Sequence, residues 1–389
     1  MNYDKTLYIN PQKISRASGN GGFNVHNDPV VEGGEWDTID IMKIEDFIVY
    51  KSIHQLLKEN IQWEDTELYK FIVRNLELGN PIWDCRTIEQ CKNRGNYILN
   101  LRDDIVQTDG LLSREEVMKL KTKFKTYHVH WEGKRGQGKY WENDTVQFVI
   151  DRNGKFLFAM NGSHRFSICK ILGYKSIPVK VYKRHSEWEE YRKTVFNFCE
   201  THWKGKAYHS LPHPDFDELQ AIHSDNRYEL IKNNTSLKNV KLLDIGSLFG
   251  YICYKAEQDG FNCTAVEFNN QYLSIMRKLH AAMEMKYRIF SDSIFNLDDK
   301  SHEIVVAFNI FHHFLKTEEL YAKLIKLLNE LDYKEMFIQF HNKNEAQLIG
   351  AYKNYSEEEF AKFIINNSKN KTSFEYIGTE NSRKIYKIY

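Results

Sequence analysis

The stretch Lys241-Leu-Leu-Asp-Ile-Gly-Ser-Leu-Phe-Gly-Tyr251 constrains this chain more than any other. Lys241 to Ile245 is a short, mostly apolar run with a carboxylate near its end and glycine behind it. Its length and flanks predict a buried strand. Gly246 to Gly250 is a glycine-bearing turn. A helical pattern follows, with Tyr251, Ile252, Ala256 and Gln258 ahead of Asp259-Gly260. Cys263-Thr-Ala-Val-Glu267 is a second apolar run that ends in an acid. Strand, glycine turn, helix, strand and acid make the nucleoside-binding half of a doubly wound sheet. Glycine lets the backbone approach a ligand where a Cβ would clash. The helix N-terminus adds free amides. The acid can accept both hydroxyls of a ribose.

A dinucleotide fold would carry G-x-G-x-x-G at this turn, and this chain has G-S-L-F-G. The pattern resembles motif I of class I S-adenosylmethionine-dependent methyltransferases, commonly L-D-x-G-x-G-x-G, with Leu248 in place of the central glycine. The order downstream extends the resemblance. Lys286–Phe290, Glu303–Phe308 and Glu335–Phe340 read as strands. Gln271–Met285, Thr317–Leu331 and Ser356–Asn367 read as helices. Ser373–Ile377 and Lys384–Tyr389 read as a closing strand pair, which dehydrogenases lack. Together these segments are similar to the seven-stranded class I methyltransferase sheet over about residues 215–389.

That resemblance implies S-adenosyl-L-methionine as cofactor and assigns roles. Asp244, Gly246 and Gly250 shape the loop at the methionine end. Glu267 accepts from the ribose, and Asp292 meets the adenine amino group. Asn309, with His312 or His313, lies near the sulfonium and the acceptor. His312 and His313 are the candidate catalytic residues, because an acceptor hydroxyl needs a base and imidazole has a suitable unperturbed pKa. The alternative is that the two histidines are a wall of the cofactor pocket.

The second informative stretch is Asn161-Gly-Ser-His-Arg-Phe-Ser-Ile-Cys-Lys-Ile-Leu-Gly-Tyr-Lys-Ser-Ile-Pro-Val179. It follows a hairpin read over Asp144–Ile150 and Lys155–Met160. It continues through a helix from Phe166 to Leu172 into a strand over Lys175–Tyr182. The run resembles the signature of ParB/sulfiredoxin-like domains, G-x-H-R-x-x-A-x-x-x-L-G-x-x-x-I-P-V. Free amides at a helix start plus a guanidinium form an anion trap. The resemblance implies that Asn161, Gly162, Ser163, His164 and Arg165 hold a nucleotide phosphate, with ATP or CTP and Mg as the ligand. Ser163 stands where sulfiredoxins carry their reactive cysteine, which argues against redox repair. No added helix-turn-helix for DNA is seen. Asp144, Asp151 and Glu187 are candidate acids for base or metal duty if this domain transfers phosphate.

A chain of 389 residues suits two domains. The expected division is a ParB/sulfiredoxin-like α+β domain with helical insertions over 1–200, a linker and leading helix over 201–235, and the methyltransferase domain over 236–389. The fold class expected is α/β: a seven-stranded Rossmann-like sheet plus an N-terminal α+β domain. Residues 1–50 read as irregular, with Gly19–Phe23 and Val31–Asp37 as loops beside Trp36. Residues 38–110 and 114–126 read as mostly helical, and Phe216–Ile231 as a helix leading into the first strand.

With 54 basic and 53 acidic residues, the net charge of +1 gives no nucleic-acid signal. Six scattered cysteines without a C-x-x-C, no apolar leader and no 18-residue apolar run predict a cytoplasmic protein without a membrane span. His202, His209 and His213 lack a zinc spacing, and no metal site is expected. The predicted activity is methyl transfer, to oxygen of a sugar, glycan or related acceptor of polysaccharide biosynthesis. Two other readings stand beside it: a bifunctional kinase-methyltransferase acting on a glycan, and a non-catalytic nucleotide-binding module for a DNA or protein partner, with a degenerate methyltransferase fold. The oligomeric state is not written in the sequence.

Overall fold

The computed structural model describes residues 6–18, 37–38, 41–80, 82, 85–111, 119, 123, 146–159, 161–224, 226–341 and 343–389. Contacts divide the chain into two units, Met1–Tyr191 and Arg192–Tyr389.

The first unit holds strands β1 (Thr6–Ile9), β2 (Arg16–Ser18) and β3 (Ile41–Lys43), then helices α1 (Ile48–Lys58), α2 (Glu67–Glu77) and α3 (Ile88–Gln107). Strands β4 (Val146–Ile150) and β5 (Phe156–Phe158), helix α4 (Ser163–Leu172) and strand β6 (Ile177–Arg184) follow. The sheet is six-stranded and mixed, in the order β1-β6-β4-β5-β2-β3. Residues 1–50, expected to be irregular, thus contribute three strands. Each is only three or four residues long, too short to show a clear alternation. The expected hairpin is present as β4 and β5, paired antiparallel. Helix α4 starts three residues earlier than the apolar pattern indicated, directly after Gly162, and ends on Gly173 in the left-handed region. Phe158 and Phe166 stack at 4.6 Å and tie that helix to the sheet. The expected helix at 114–126, the loops at Gly19–Phe23 and Val31–Trp36, and Asp144 lie outside the described residues, apart from positions 119 and 123 within that helix.

Helix α5 (Ser186–Trp203) runs across the division. The second unit continues with α6 (Asn226–Asn233), β7 (Lys241–Ile245), α7 (Tyr251–Gln258), β8 (Asn262–Val266), α8 (Asn270–Ala282) and β9 (Arg288–Phe290). It ends with β10 (Ile304–Phe308), α9 (Glu318–Glu330), β11 (Glu335–Gln339), α10 (Glu357–Asn367), β12 (Phe374–Glu380) and β13 (Arg383–Ile388). The seven strands run β12-β13-β11-β10-β7-β8-β9. β7 to β11 are parallel, and β13 enters antiparallel between β11 and β12. Leu242, Leu243 and Ile245 are buried, which a strand covered on both faces requires. Helix α9 begins on Thr317, whose hydroxyl accepts from the Leu320 N–H, with Glu318 and Glu319 in the first turn. Ser356 and Glu359 form a capping box at α10.

The expected helix over Phe216–Ile231 is mostly absent. Pro214–Phe216 is a single tight turn capped by the His213 imidazole, and the α-helix spans only Asn226–Asn233. Tertiary pairing overrides the helical pattern there, because the Ala207 N–H donates to the Gln220 carbonyl and the Ile222 N–H to the Ala207 carbonyl. No helix among the described residues is long and apolar enough to cross a membrane.

Candidate active site of the C-terminal unit

In a parallel sheet, ligands bind beyond the carboxyl ends of the strands, where crossovers diverge. Those ends bring Gly246 after β7, Glu267 after β8, Asp292 after β9, Asn309 after β10 and His341 after β11 to one edge. The β7–α7 turn closes tightly, with the Gly246 and Ser247 N–H groups both donating to the Val266 carbonyl at 3.0 Å. Gly246 has φ 75°, and a Cβ there would come within 2.8 Å of the Ile310 side chain. Gly250 has φ 78°, and its Cβ would run into the Tyr287 hydroxyl. Both positions therefore require glycine for space and for backbone conformation. Leu248, between them, holds φ 54°, the left-handed region in which a side chain is strained. Helix α7 starts with no side-chain cap, so its first amides stay available.

Glu267 is buried and fastens this turn. Its Oε2 accepts from the Leu248 N–H at 3.0 Å, and its Oε1 from the Phe268 and Asn269 N–H groups at 2.9 Å. A carboxylate offers about four lone-pair sites, so one direction on Oε2 remains. Burial raises the basicity of Glu267. Asp244 is fully buried, and burial together with the Glu267 charge pushes its pKa up to about 7. Its Oδ2 has no hydrogen-bond partner among the described residues. Asp292 is exposed. Its oxygens accept from the Asn296 amide and the Ser293 N–H, which lowers its pKa.

Asn309 (φ 53°) donates through Nδ2 to the Tyr208 hydroxyl at 3.1 Å and to Gln339 Oε1 at 3.2 Å, while its buried Oδ1 has no partner among the described residues. Gln339 also accepts from Arg227 Nη2 and donates to the Glu380 carbonyl at 2.9 Å. Arg227 Nε donates to Glu380 Oε2 at 3.0 Å, and His223 Nδ1 lies 2.7 Å from the same oxygen. Tyr208, His223, Arg227, Gln339 and Glu380 were not singled out from the sequence. They come from four separated segments and share no motif.

His312 and His313 sit on the tight turn Phe311–Leu315. His312 is 2% exposed, and its ring centroid lies 3.8 Å from that of His341 and 3.9 Å from that of His313. Burial first, and then its imidazole and cationic neighbours, push the His312 pKa down to about 2. His313 is exposed. His341, also missed, stands one residue past Phe340. The signal was a histidine two residues past the end of β11, one beyond the position level with Asn309. Of the three histidines without a zinc spacing, His202 lies in the last turn of α5 and meets the Phe198 carbonyl at 3.0 Å, His209 meets Arg227 at 3.2 Å, and His213 caps Asp215. No group of three or more metal-ligating side chains is found among the described residues.

In the first unit, Asn161 to Arg165 form one strand–turn–helix junction. Gly162 has φ 76°, and a Cβ there would meet Val146 at 3.0 Å and Arg165 Nη2 at 3.3 Å. Ser163 opens α4, the His164 ring packs edge-on to Tyr97 at 5.8 Å, and Arg165 is buried. Asp151 is buried in the β4–β5 turn, where Oδ1 accepts from the Asn153 and Lys155 N–H groups at 2.8 Å. Asp37 is buried too, and accepts from Arg152 through backbone and guanidinium at 2.7–2.9 Å. Glu187 lies 3.9 Å from Arg152.

Residues 243–330 match the methyltransferase domain family. No curated protein matches the chain. Among solved structures, monomeric WbdD is similar at a TM-score of 0.39 and 16% identity, over 49% of this chain and 48% of that one. The structure described as the bifunctional kinase-methyltransferase WbdD gives 0.39 and 16%, over 50% and 45%. Magnesium protoporphyrin IX methyltransferase of Synechocystis PCC 6803 gives 0.33 and 15%, over 42% and 76%. The chain spans about half the length of the WbdD chains it matches. The C-terminal unit therefore carries a class I S-adenosylmethionine-dependent methyltransferase domain, matched over residues 243–330.

Proposed function

We propose that this protein methylates an oxygen atom of a sugar, glycan or related acceptor, using the strand-end edge of residues 236–389 with 201–235 as its leading segment. The observation that carries the cofactor side of this reading is the Leu248–Glu267 clasp, which fixes the glycine turn at the carboxyl end of β7. The residues fit S-adenosylmethionine: Asn309 Oδ1 is buried without a partner, Glu267 Oε2 keeps one free direction, and the Gly246 surface admits no Cβ. When bound, that cofactor supplies a methyl group already activated on a sulfonium. Glu267 takes one ribose hydroxyl, Asp292 the adenine amino group, and the Gly246–Gly250 turn the methionine end beside Asp244. Asn309, fixed by Tyr208 and Gln339, borders the transferred methyl. His312 and His313 orient the acceptor. Catalysis is then chiefly positioning, since the reaction is an in-line displacement. His312 is neutral at pH 7 but, with a pKa of about 2, is a weak base.

For the first unit, the Asn161–Arg165 junction supports a ParB/sulfiredoxin-like phosphate site for ATP or CTP. The same site would suit a phosphotransfer that precedes methylation. Calorimetry of the full chain with S-adenosylhomocysteine tests the methyltransferase reading. We expect binding that weakens at least about tenfold in Glu267→Gln, the cost of a hydrogen bond to a charged group. Unchanged affinity in that variant would remove Glu267 from the site. Absence of ATP and CTP binding at millimolar concentration, with Mg present, would sink the nucleotide reading.

A further inference from the structure

The C-terminal unit buries an imidazole cluster beyond the carboxyl ends of β10 and β11. His312 and His341 are each 2% exposed with ring centroids 3.8 Å apart. Neither ring nitrogen of His312, nor Nδ1 of His341, has a hydrogen-bond partner among the described residues. A buried polar atom left unpaired costs about 1–3 kcal/mol, and three such atoms lie together in adjoining rings here. The permanent charges that bear on the cluster, Lys316, Arg383, Arg227 and Glu345, are mostly positive. His312 is acted on by His313, His341, Lys316 and Arg383. His341 is acted on by Arg383, Glu345, His313 and Arg227. The one carboxylate in that set, Glu345, is already engaged by both ends of the Arg383 guanidinium at 2.8 and 2.5 Å. It stays 3.8 Å from His341 Nε2.

We infer that His312 and His341 form the cradle of an anionic acceptor, and that the methylated oxygen belongs to an oxyanion, a carboxylate or phosphate monoester borne by the substrate. The inference rests on the methyltransferase reading and narrows its acceptor. An ionised oxygen needs no base, which removes the difficulty of a buried histidine too weakly basic to take a hydroxyl proton. The acceptor oxygen attacks the methyl carbon, the C–O bond forms as the C–S bond breaks, and the bonding pair goes to sulfur. The acceptor loses one negative charge, the sulfonium loses its positive charge, and no proton is moved. Before that step, anion binding is accompanied by protonation of the cradle, since an adjacent negative charge favours imidazolium.

The test uses the full chain and sulfate, whose charge is constant over the range studied. Imidazole proton NMR and calorimetry are run from pH 7.5 to pH 5.5, with S-adenosylhomocysteine titrated in parallel. We expect two imidazole resonances to shift on sulfate addition, and binding to tighten about tenfold per pH unit lowered for each proton taken up. His312→Asn and His341→Asn should each reduce that pH dependence. Glucuronate and glucose 6-phosphate, compared with glucose, then separate carboxylate from phosphate. Failure to bind S-adenosylhomocysteine overturns the methyltransferase reading itself. Binding of it, with sulfate affinity indifferent to pH and to both substitutions, overturns the inference alone. If the variants do not fold, an unsubstituted chain whose imidazole resonances ignore sulfate does the same, and equal affinity for glucose and the two acids also refutes it.

Discussion

At Leu248 the chain places a side chain where relatives of the motif place glycine, and the backbone keeps the glycine conformation, φ 54°. In that conformation the Leu248 N–H donates to Glu267 Oε2 at 3.0 Å. Strain of this kind costs about 1–3 kcal/mol. Leu248→Gly removes it but also loses a half-buried side chain and adds unfolded-state entropy, so its stability should stay within about 1 kcal/mol of the parent. Leu248→Ile, β-branched at the same φ, should lower stability by about 2 kcal/mol or more in urea unfolding. A Leu248→Ile variant as stable as the parent would mean that the turn relaxes freely.

Among the elements, α3 carries an instructive glycine. In a helix interior, Gly→Ala ordinarily stabilises by up to about 1 kcal/mol. At Gly95 a new Cβ would lie 2.5 Å from the Trp63 ring, whose Nε1 donates to the Cys91 carbonyl at 2.8 Å. The ring cannot withdraw without losing that hydrogen bond, so the sign reverses. Gly95→Ala should destabilise by about 1–3 kcal/mol, read as a lowered urea midpoint, and a raised midpoint would refute the packing argument. The sequence made no mention of this contact, since a lone glycine in a helical pattern does not reveal what approaches it. Elements with long runs or strong punctuation were legible: β7 and β8 by their apolar stretches, α9 and α10 by their caps, the closing pair β12–β13 by its β-rich ends. Strands β2 and β3 were not, because three residues carry no period and the parallel partner of β2 is β5, across the unit. The strand–turn–strand edge from β7 to β8 was legible as a motif. The polar network behind it was not, because its members meet only through topology.

Over the whole C-terminal unit, acid should be destabilising. His209, His223, His302, His312 and His341 all have lowered basicity when folded, chiefly through burial. Each binds fewer protons folded than unfolded below about pH 6.5. The stability they contribute is full above that value and is lost as pH falls toward about 4 for His341 and about 2 for His312. Asp244 and Glu267 act oppositely, since both are raised by burial, Asp244 to about 7, so their contribution is fullest in acid and weakens as pH rises. The histidines outnumber them. We expect the urea midpoint to fall from pH 7 to pH 5, with about 1.4 kcal/mol per pH unit for each net proton. His312→Asn should flatten that slope and Asp244→Asn should steepen it. The opposite pair of changes would reverse the assignment.

The reach of the closing hairpin sets a timetable for biosynthesis. Glu380 neutralises Arg227, yet 153 residues separate them. At roughly 5–20 residues per second, the ribosome delivers that carboxylate about 8–30 s after the arginine. During the interval Arg227, Gln339 and Asn309 lack the clamp that later fixes them. A nascent chain can therefore form the glycine turn and the first strands well before it can form a working methyl-transfer edge. Translational pausing ahead of β12 lengthens the life of that half-built edge without altering a single residue of it.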